Sequence, residues 1–317
     1  MARKLRVEYE GALYHVMNRG DHREEIFRED HDRQLFLQTL GEACTKTDWQ
    51  LHAWCLMPNH FHLVVQTPRA NLVSGMKWLL ATNTSRFNRR HGLCGHLFSG
   101  RYKALFVDES ASGYLKTVCD YVHLNPARAK LLRAEQRLCH FAWSSYPEYL
   151  ANPSRRWPWL KVERLLAEHG IPQDSAAGRR EFERRMELRR AAEDGQEFKG
   201  LMRGWYLGDK AFRKELLMQM SCRAGPEHYG EEIGESAEDK AQRLIEEELK
   251  KLRWREEQLL HLRKGDPKKV KIALRLRQET TMTLAWIARR LDMGTKSHLT
   301  HLLYWQNRKV QAKSGQY

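Results

Sequence analysis

Two apolar runs, Leu51–Met57 and Phe61–Val65, lie on either side of Pro58-Asn59-His60, and no other stretch constrains the chain as strongly. Their length and the turn residues between them predict strand, short turn, strand. Ala12–Met17 reads as an earlier strand, ended by the turn chemistry of Asn18-Arg19-Gly20-Asp21, and Leu105-Phe106-Val107 as a short later one. Helical spacing of apolar residues predicts helices from about Asp30 to Thr45 and from Asn71 to Asn88. A third helix begins near Ser110 or Ser112, both good N-caps, and carries Tyr114, Leu115, Val118, Tyr121 and Val122. Strands alternating with helices, two of the strands joined as a hairpin, predict an α+β fold with an antiparallel sheet and helices packed on it.

The 317 residues allow two domains or one with an extension. The character of the chain changes at Ala151-Asn152-Pro153-Ser154 and Trp157-Pro158, so one domain is expected over residues 1–150. Residues 151–276 are rich in helix formers and mixed charge (Arg179–Arg190, Glu246–Glu257), as in a solvated helical extension. In residues 277–317, Leu284–Leu291 has helical apolar spacing, Met293-Gly294 supplies a stop, and Ser297–Trp305 begins another helix. That is the pattern of a helix-turn-helix. From Met282 to Tyr317 there are six Lys or Arg against the single acid Asp292.

Charge narrows the partner. Lys and Arg total 55 against 40 Asp and Glu, a formal charge of +15, which favours a polyanion. A membrane is not the expected partner, because no apolar run approaches the roughly 18 residues of a spanning helix. The start, Met1–Glu8, lacks the apolar segment of a signal peptide. The six cysteines include no CxxC pair, which argues against a zinc finger and for a reducing cytoplasm.

Two motifs carry chemistry. On a strand, His60 and His62 are at i and i+2 and point to one face while Phe61 points to the other. Two imidazoles on one face can ligate a divalent ion and leave positions for further ligands. In Tyr121-Val122-His123-Leu124-Asn125-Pro126, Tyr121 and Asn125 share a helix face one turn apart. Pro126 is expected to kink or end the helix near Asn125, leaving its amide available as an oxygen ligand. Tyr114, two turns earlier, competes with Tyr121 on spacing alone. Such a set suits attack on a phosphodiester, in which a metal-bound phosphate compensates for the weak nucleophilicity of a phenol. The covalent adduct retains the bond energy for rejoining.

Met57–Val65 resembles the paired-histidine (HUH) motif of single-tyrosine transposases, and Tyr121–Ala129 resembles their catalytic helix. Asn18-Arg19-Gly20, Arg101-Tyr102-Lys103 and Trp143-Ser144-Ser145-Tyr146 are similar to further motifs in the same order. The branch resembled is the REP-associated tyrosine transposases, bacterial enzymes of repetitive extragenic palindromes. Residues 1–150 carry the resemblance, and the end of the chain is similar to the helix-turn-helix of some members.

The resemblance implies that His60, His62 and Asn125 hold Mg²⁺ or Mn²⁺ and that Tyr121, the tyrosine before the Asn-Pro pair, is the nucleophile. It implies single-stranded DNA beside a palindromic hairpin as substrate, cut to leave a 5′-phosphotyrosine and a free 3′-hydroxyl, by a monomer or a homodimer. Candidate DNA contacts are Arg19, Arg86, Arg89, Arg90, Arg101 and Lys103, with Arg289, Lys296 and His298 at the C-terminal helices. Phe98 and Tyr102 are candidates for base stacking or for the core. The rival readings are a replication-initiator or relaxase-type HUH nuclease, and a non-catalytic DNA-binding regulator on the same fold.

Overall fold

Long runs of buried side chains, with both faces covered, set the sheet of the first part of the molecule. The computed structural model describes residues 7–109, 113–192, 198, 205–222 and 231–314. The chain divides into two compact units, the first reaching His228 and the second starting at Tyr229, with residues 45–47 and 73–75 grouped with the second.

In the first unit the elements run β1 (Ala12–Arg19), α1 (Asp30–Thr47), β2 (Gln50–Met57), β3 (His60–Thr67), α2 (Leu72–His91), β4 (Lys103–Val107) and α3 (Tyr114–Arg128). Then follow α4 (Tyr146–Leu150), α5 (Glu163–Glu168), α6 (Ala176–Ala192), β5 (Tyr206–Leu207) and α7 (Lys210–Cys222). The sheet order is β2-β3-β1-β4-β5. The first four strands pair antiparallel, as expected, and β5 adds a two-residue parallel pairing to β4. The fold is α+β.

Register decides which residues meet. Met17 pairs with His62 and Arg19 with His60, while Cys55 and Met57 pair with the same two histidines from the other side. Directly paired residues share a face, so Leu13, His15, Met17 and Arg19 lie with His60, His62 and Val64. Lys103, opposite Met17, joins them. The opposite face is core: Phe61 packs on Phe36 of α1 at 5.0 Å and edge-on to Phe98 at 6.0 Å. Phe98 and Tyr102 are both buried, which answers the choice between stacking and core in favour of core.

Three sequence expectations need correction. The break near residue 150 falls inside the first unit. The free edge of β2 explains why: Leu56 N donates to Trp143 O at 2.8 Å, Ser145 N to Trp54 O at 2.8 Å, and Lys161 N to Leu51 O at 2.7 Å. The expected extension 151–276 is thus shared between the two units. Helix α3 also continues through Pro126 to Arg128. The proline's fixed φ suits the helix, and the next turn is closed by Ala129 N donating to Asn125 O at 2.9 Å. The expected caps Ser110 and Ser112 lie outside the described residues, and the described helix begins after Gly113.

The second unit is helical: α8 (Glu231–Leu252), α9 (Gln258–His261), α10 (Pro267–Glu279), α11 (Leu284–Arg290) and α12 (Lys296–Ser314). Its core includes Ile245, Val270, Ala273, Leu276, Ile287, Leu291, Leu299 and Leu303. The expected start of the last segment, residue 277, lies inside α10, which packs on both α11 and α12. The turn between α11 and α12 places Asp292 at φ 46° and Gly294 at φ 82°, the left-handed conformations that a short turn requires and that glycine adopts without strain. Among the described residues no helix is long and apolar enough to cross a membrane.

Candidate active site

Helix α3 packs across the histidine-bearing face of the sheet. Its Tyr121 ring stands edge-on to two imidazoles, 5.6 Å from His15 and 5.8 Å from His62 between centroids. The His60 and His62 rings are 5.0 Å apart. Asn125, one turn beyond Tyr121, is buried, and its side-chain Nδ2 has no hydrogen-bond partner among the described residues. The structure therefore brings Tyr121, His60 and His62 together and sets Asn125 on the same helix face.

The hydrogen bonds of both histidines fall on the same ring atom. His60 Nδ1 is 2.7 Å from Asn59 Oδ1, and His62 Nδ1 is 2.9 Å from His15 Nε2. Burial, and then Arg19, lower the pKa of His60 to about 4. Burial holds His62 well below its ordinary value, helped by His15, His60, Arg128 and Arg19. Burial alone lowers His15 to about 4. All three imidazoles are therefore neutral near pH 7, the form with a lone pair for a metal.

Two neutral imidazoles and the amide oxygen of Asn125 are donors that suit a divalent ion, whereas the unpartnered Nδ2 of that amide only donates hydrogen bonds and is not a ligand. Among the described residues no group of three or more His, Cys, Asp or Glu is placed to hold a metal, so an ion here would depend on the amide.

Other side chains around Tyr121 carry no motif of their own. The Arg128 guanidinium lies 4.7 Å from the centroid of the Tyr121 ring and 5.1 Å from that of Phe198. Phe198 is fully buried, with its ring 5.4 Å from Tyr121. Arg128 follows Tyr121 by seven residues, two helical turns, a spacing that could have pointed to it. Phe198 gives no such signal.

The basic candidates separate by location. Arg19, Arg101 and Lys103 are exposed, and Arg19 and Lys103 share the histidine face. On α2, Arg86 donates to Thr39 Oγ1 and pairs with Glu42 at 2.7 Å, while Arg90 pairs with Glu29 at 2.6 Å and Asp32 at 3.4 Å. These two guanidinium groups join helix α2 to α1 and its N-terminus. Arg89 is exposed.

In the second unit Arg289 and Lys296 are exposed, whereas the His298 ring closes the turn with its Nδ1 2.9 Å from Met293 O. Lys296, Ser297, Thr300, His301 and Tyr304 line a shallow depression along α12.

Residues 8–125 match the family described as "Transposase IS200 like". No curated protein matches the chain. Two solved structures are similar in part. One, a REP-associated tyrosine transposase bound to a REP hairpin, is 13% identical over 50% of this chain and 96% of that one, with a TM-score of 0.40. The other, a Deinococcus radiodurans R1 protein assigned as a transposase, is 19% identical over 41% of this chain and 92% of that one, with a TM-score of 0.28. At these scores neither structure adds to the argument. The family match runs from before β1 into α3 and includes His60, His62, Tyr121 and, as its last residue, Asn125; this stretch of the chain, 8–125 of 317 residues, is similar to the IS200-like transposases.

Proposed function

We propose that the protein cuts and rejoins single-stranded DNA beside a hairpin, with Tyr121 as nucleophile. One observation carries the reading: the Tyr121 ring packs 5.8 Å from that of His62, so the nucleophile and the metal-ligating pair occupy one sheet face. The hairpin as substrate rests on the family resemblance of the motifs.

His60, His62 and Asn125 would hold Mg²⁺ or Mn²⁺, which when bound supplies positive charge to the scissile phosphate and the leaving oxygen. The Tyr121 oxygen bonds to phosphorus as the bond to the 3′ oxygen breaks, giving a 5′-phosphotyrosine and a free 3′-hydroxyl. A phenol has a pKa near 10 in water. The Arg128 guanidinium, 4.7 Å from the centroid of its ring, would place positive charge beside the reacting tyrosine. Burial of Tyr121 keeps water from competing with the returning 3′-hydroxyl. Arg19, Arg101 and Lys103 would hold backbone phosphates beside His60. In the second unit, the exposed Lys296 and Arg289 of the helix-turn-helix would hold DNA independently of the chemistry.

The test is a denaturing gel of labelled single strands carrying a palindromic hairpin and its flanks, incubated with protein and Mg²⁺ or Mn²⁺. A slowly migrating covalent adduct is expected, lost in Tyr121→Phe and kept in Tyr114→Phe. An adduct that survives Tyr121→Phe overturns the assignment. No cleavage on any hairpin substrate favours the regulator reading.

A further inference from the structure

Each of the two histidines has its Nδ1 held by a different neighbour, and the two neighbours come from different parts of the fold. Asn59 is one of the two residues of the β2–β3 turn. Its Nδ2 donates to Arg23 O at 3.1 Å, so its Oδ1 is the atom turned toward His60. An amide oxygen only accepts, and the 2.7 Å contact therefore requires the proton to be on His60 Nδ1. His62 Nδ1 faces His15 Nε2 at 2.9 Å, and between two neutral rings one nitrogen donates and the other accepts. His15 comes from β1, where it pairs with Val64 and so lies diagonal to His62 across the ladder. Both residues of the His15–His62 pair are buried, and water does not compete for this bond.

We propose that Asn59 and His15 are positioning residues that fix His60 and His62 as Nδ1–H tautomers, so that both Nε2 lone pairs are presented to one cation. The inference rests on the metal-binding reading above, but its tautomer statement concerns the metal-free protein. Outer-shell acceptors of this kind fix ring orientation and raise ligand basicity, and their loss typically costs about 10–100-fold in metal affinity. Asn59 has two tasks here, because the same amide that binds His60 ties the turn to the carbonyl of Arg23.

The experiment has two readouts on the full chain. Long-range ¹H–¹⁵N spectra of the metal-free protein, labelled at histidine, report the tautomer of each ring at pH 7. Calorimetric titration with Mn²⁺ reports affinity. The wild type is expected to show Nδ1–H at His60 and His62. Asn59→Ala releases the tautomer of His60 alone, and His15→Phe, which keeps a ring but no acceptor, releases that of His62 alone. Each variant weakens Mn²⁺ binding about 10–100-fold. His15→Gln, which supplies a carbonyl acceptor, restores the tautomer of His62 and the Mn²⁺ affinity, and Asn59→Asp does the same for His60. Nε2–H resonances for His60 and His62 in the wild type overturn the inference, as does Mn²⁺ affinity unchanged in both Asn59→Ala and His15→Phe. A wild type with the expected tautomers but no Mn²⁺ binding supports the tautomer lock and sinks the metal reading instead.

Discussion

His52 allows a prediction whose size follows from the structure. Its ring is buried on β2, the strand that forms the hairpin with the histidine pair, and its Nε2 is 3.3 Å from Gln66 Oε1. Burial lowers its pKa from 6.5 to about 4; the contact with Gln66 opposes this and the positive charge of Arg164 adds to it. In the unfolded chain the imidazole returns to its ordinary value near 6.5. Below that pH the unfolded state therefore takes up a proton that the folded state refuses. For a depressed histidine the stabilisation is complete above the unfolded pKa and is lost as pH falls toward the folded value. Between pH 7.5 and 5.0 the linkage relation gives a loss of about 2 kcal/mol from this one residue. His52→Gln keeps a polar side chain facing Gln66 and cannot titrate. Urea unfolding of both proteins at the two pH values measures the difference directly, and the fixed cost of the substitution cancels. The wild type should lose about 2 kcal/mol more than the variant. Equal losses would refute the assignment of His52 as a buried neutral ring.

Glu148 should show the opposite dependence: burial raises its carboxyl to about 7, so ionisation in the fold is unfavourable and stability falls as pH rises from about 4.5 to 7. Glu148→Gln retains an acceptor for Trp157 N, and is expected to be neutral at pH 4 and to stabilise by about 1–2 kcal/mol at pH 8 after allowing for solvent screening, read from unfolding curves at both. Arg128→Ala removes the cation over Tyr121 and should slow adduct formation about tenfold on hairpin substrates, whereas an unchanged single-turnover rate would remove Arg128 from the chemistry. In the second unit, Lys269 Nζ donates to Leu259 O at 2.9 Å and Asp292 O at 2.7 Å. Lys269→Met leaves both carbonyls unsatisfied, and a loss of about 2–3 kcal/mol is expected in the unfolding of that unit. Lys296→Glu should weaken duplex or single-strand binding and flatten its salt dependence while leaving cleavage of a saturating substrate intact; a cleavage rate that falls in parallel with binding would argue against separate roles.

The elements that were legible in the sequence are those whose signal is local. The β2–β3 hairpin is written in two apolar runs and a two-residue turn, and α1 and α2 in helical apolar spacing. The pairing of residues 143–161 with β2 was not legible, because it is made through backbone groups and leaves no side-chain alternation. Trp143-Ser144-Ser145 stands out as part of a family-like motif but carries no strand period, and its carbonyl and amide groups satisfy the edge strand. Two-residue β5 is too short for any period to register. Pro126 misled for a different reason: a proline removes only its own bond to the carbonyl four residues back, and the turn after it is still closed by Ala129 and Leu131 donating to the carbonyls of Asn125 and Pro126.

The site divides along the same line. His60, His62, Tyr121 and Asn125 stand in two short motifs, each on one element, so strand and helix periods suffice to put each pair on a common face. His15 belongs to neither motif. Its place beside His62 depends on the β1–β3 register, which fixes Met17 opposite His62 and brings His15 to the diagonal. A register shifted by one residue would turn His15 away from His62 without altering any motif. The arginines make the same point in reverse. On α2, Arg86 and Arg90 share a basic helix end that reads as a DNA contact, but α1 and its N-terminus supply Glu42, Glu29 and Asp32 to meet them. Arg19 and Lys103 have weaker local signals, and only the register sets them on the edge of the histidine face. A basic residue in this chain is therefore better weighted for DNA by the charge that faces it across the fold than by its neighbours in sequence.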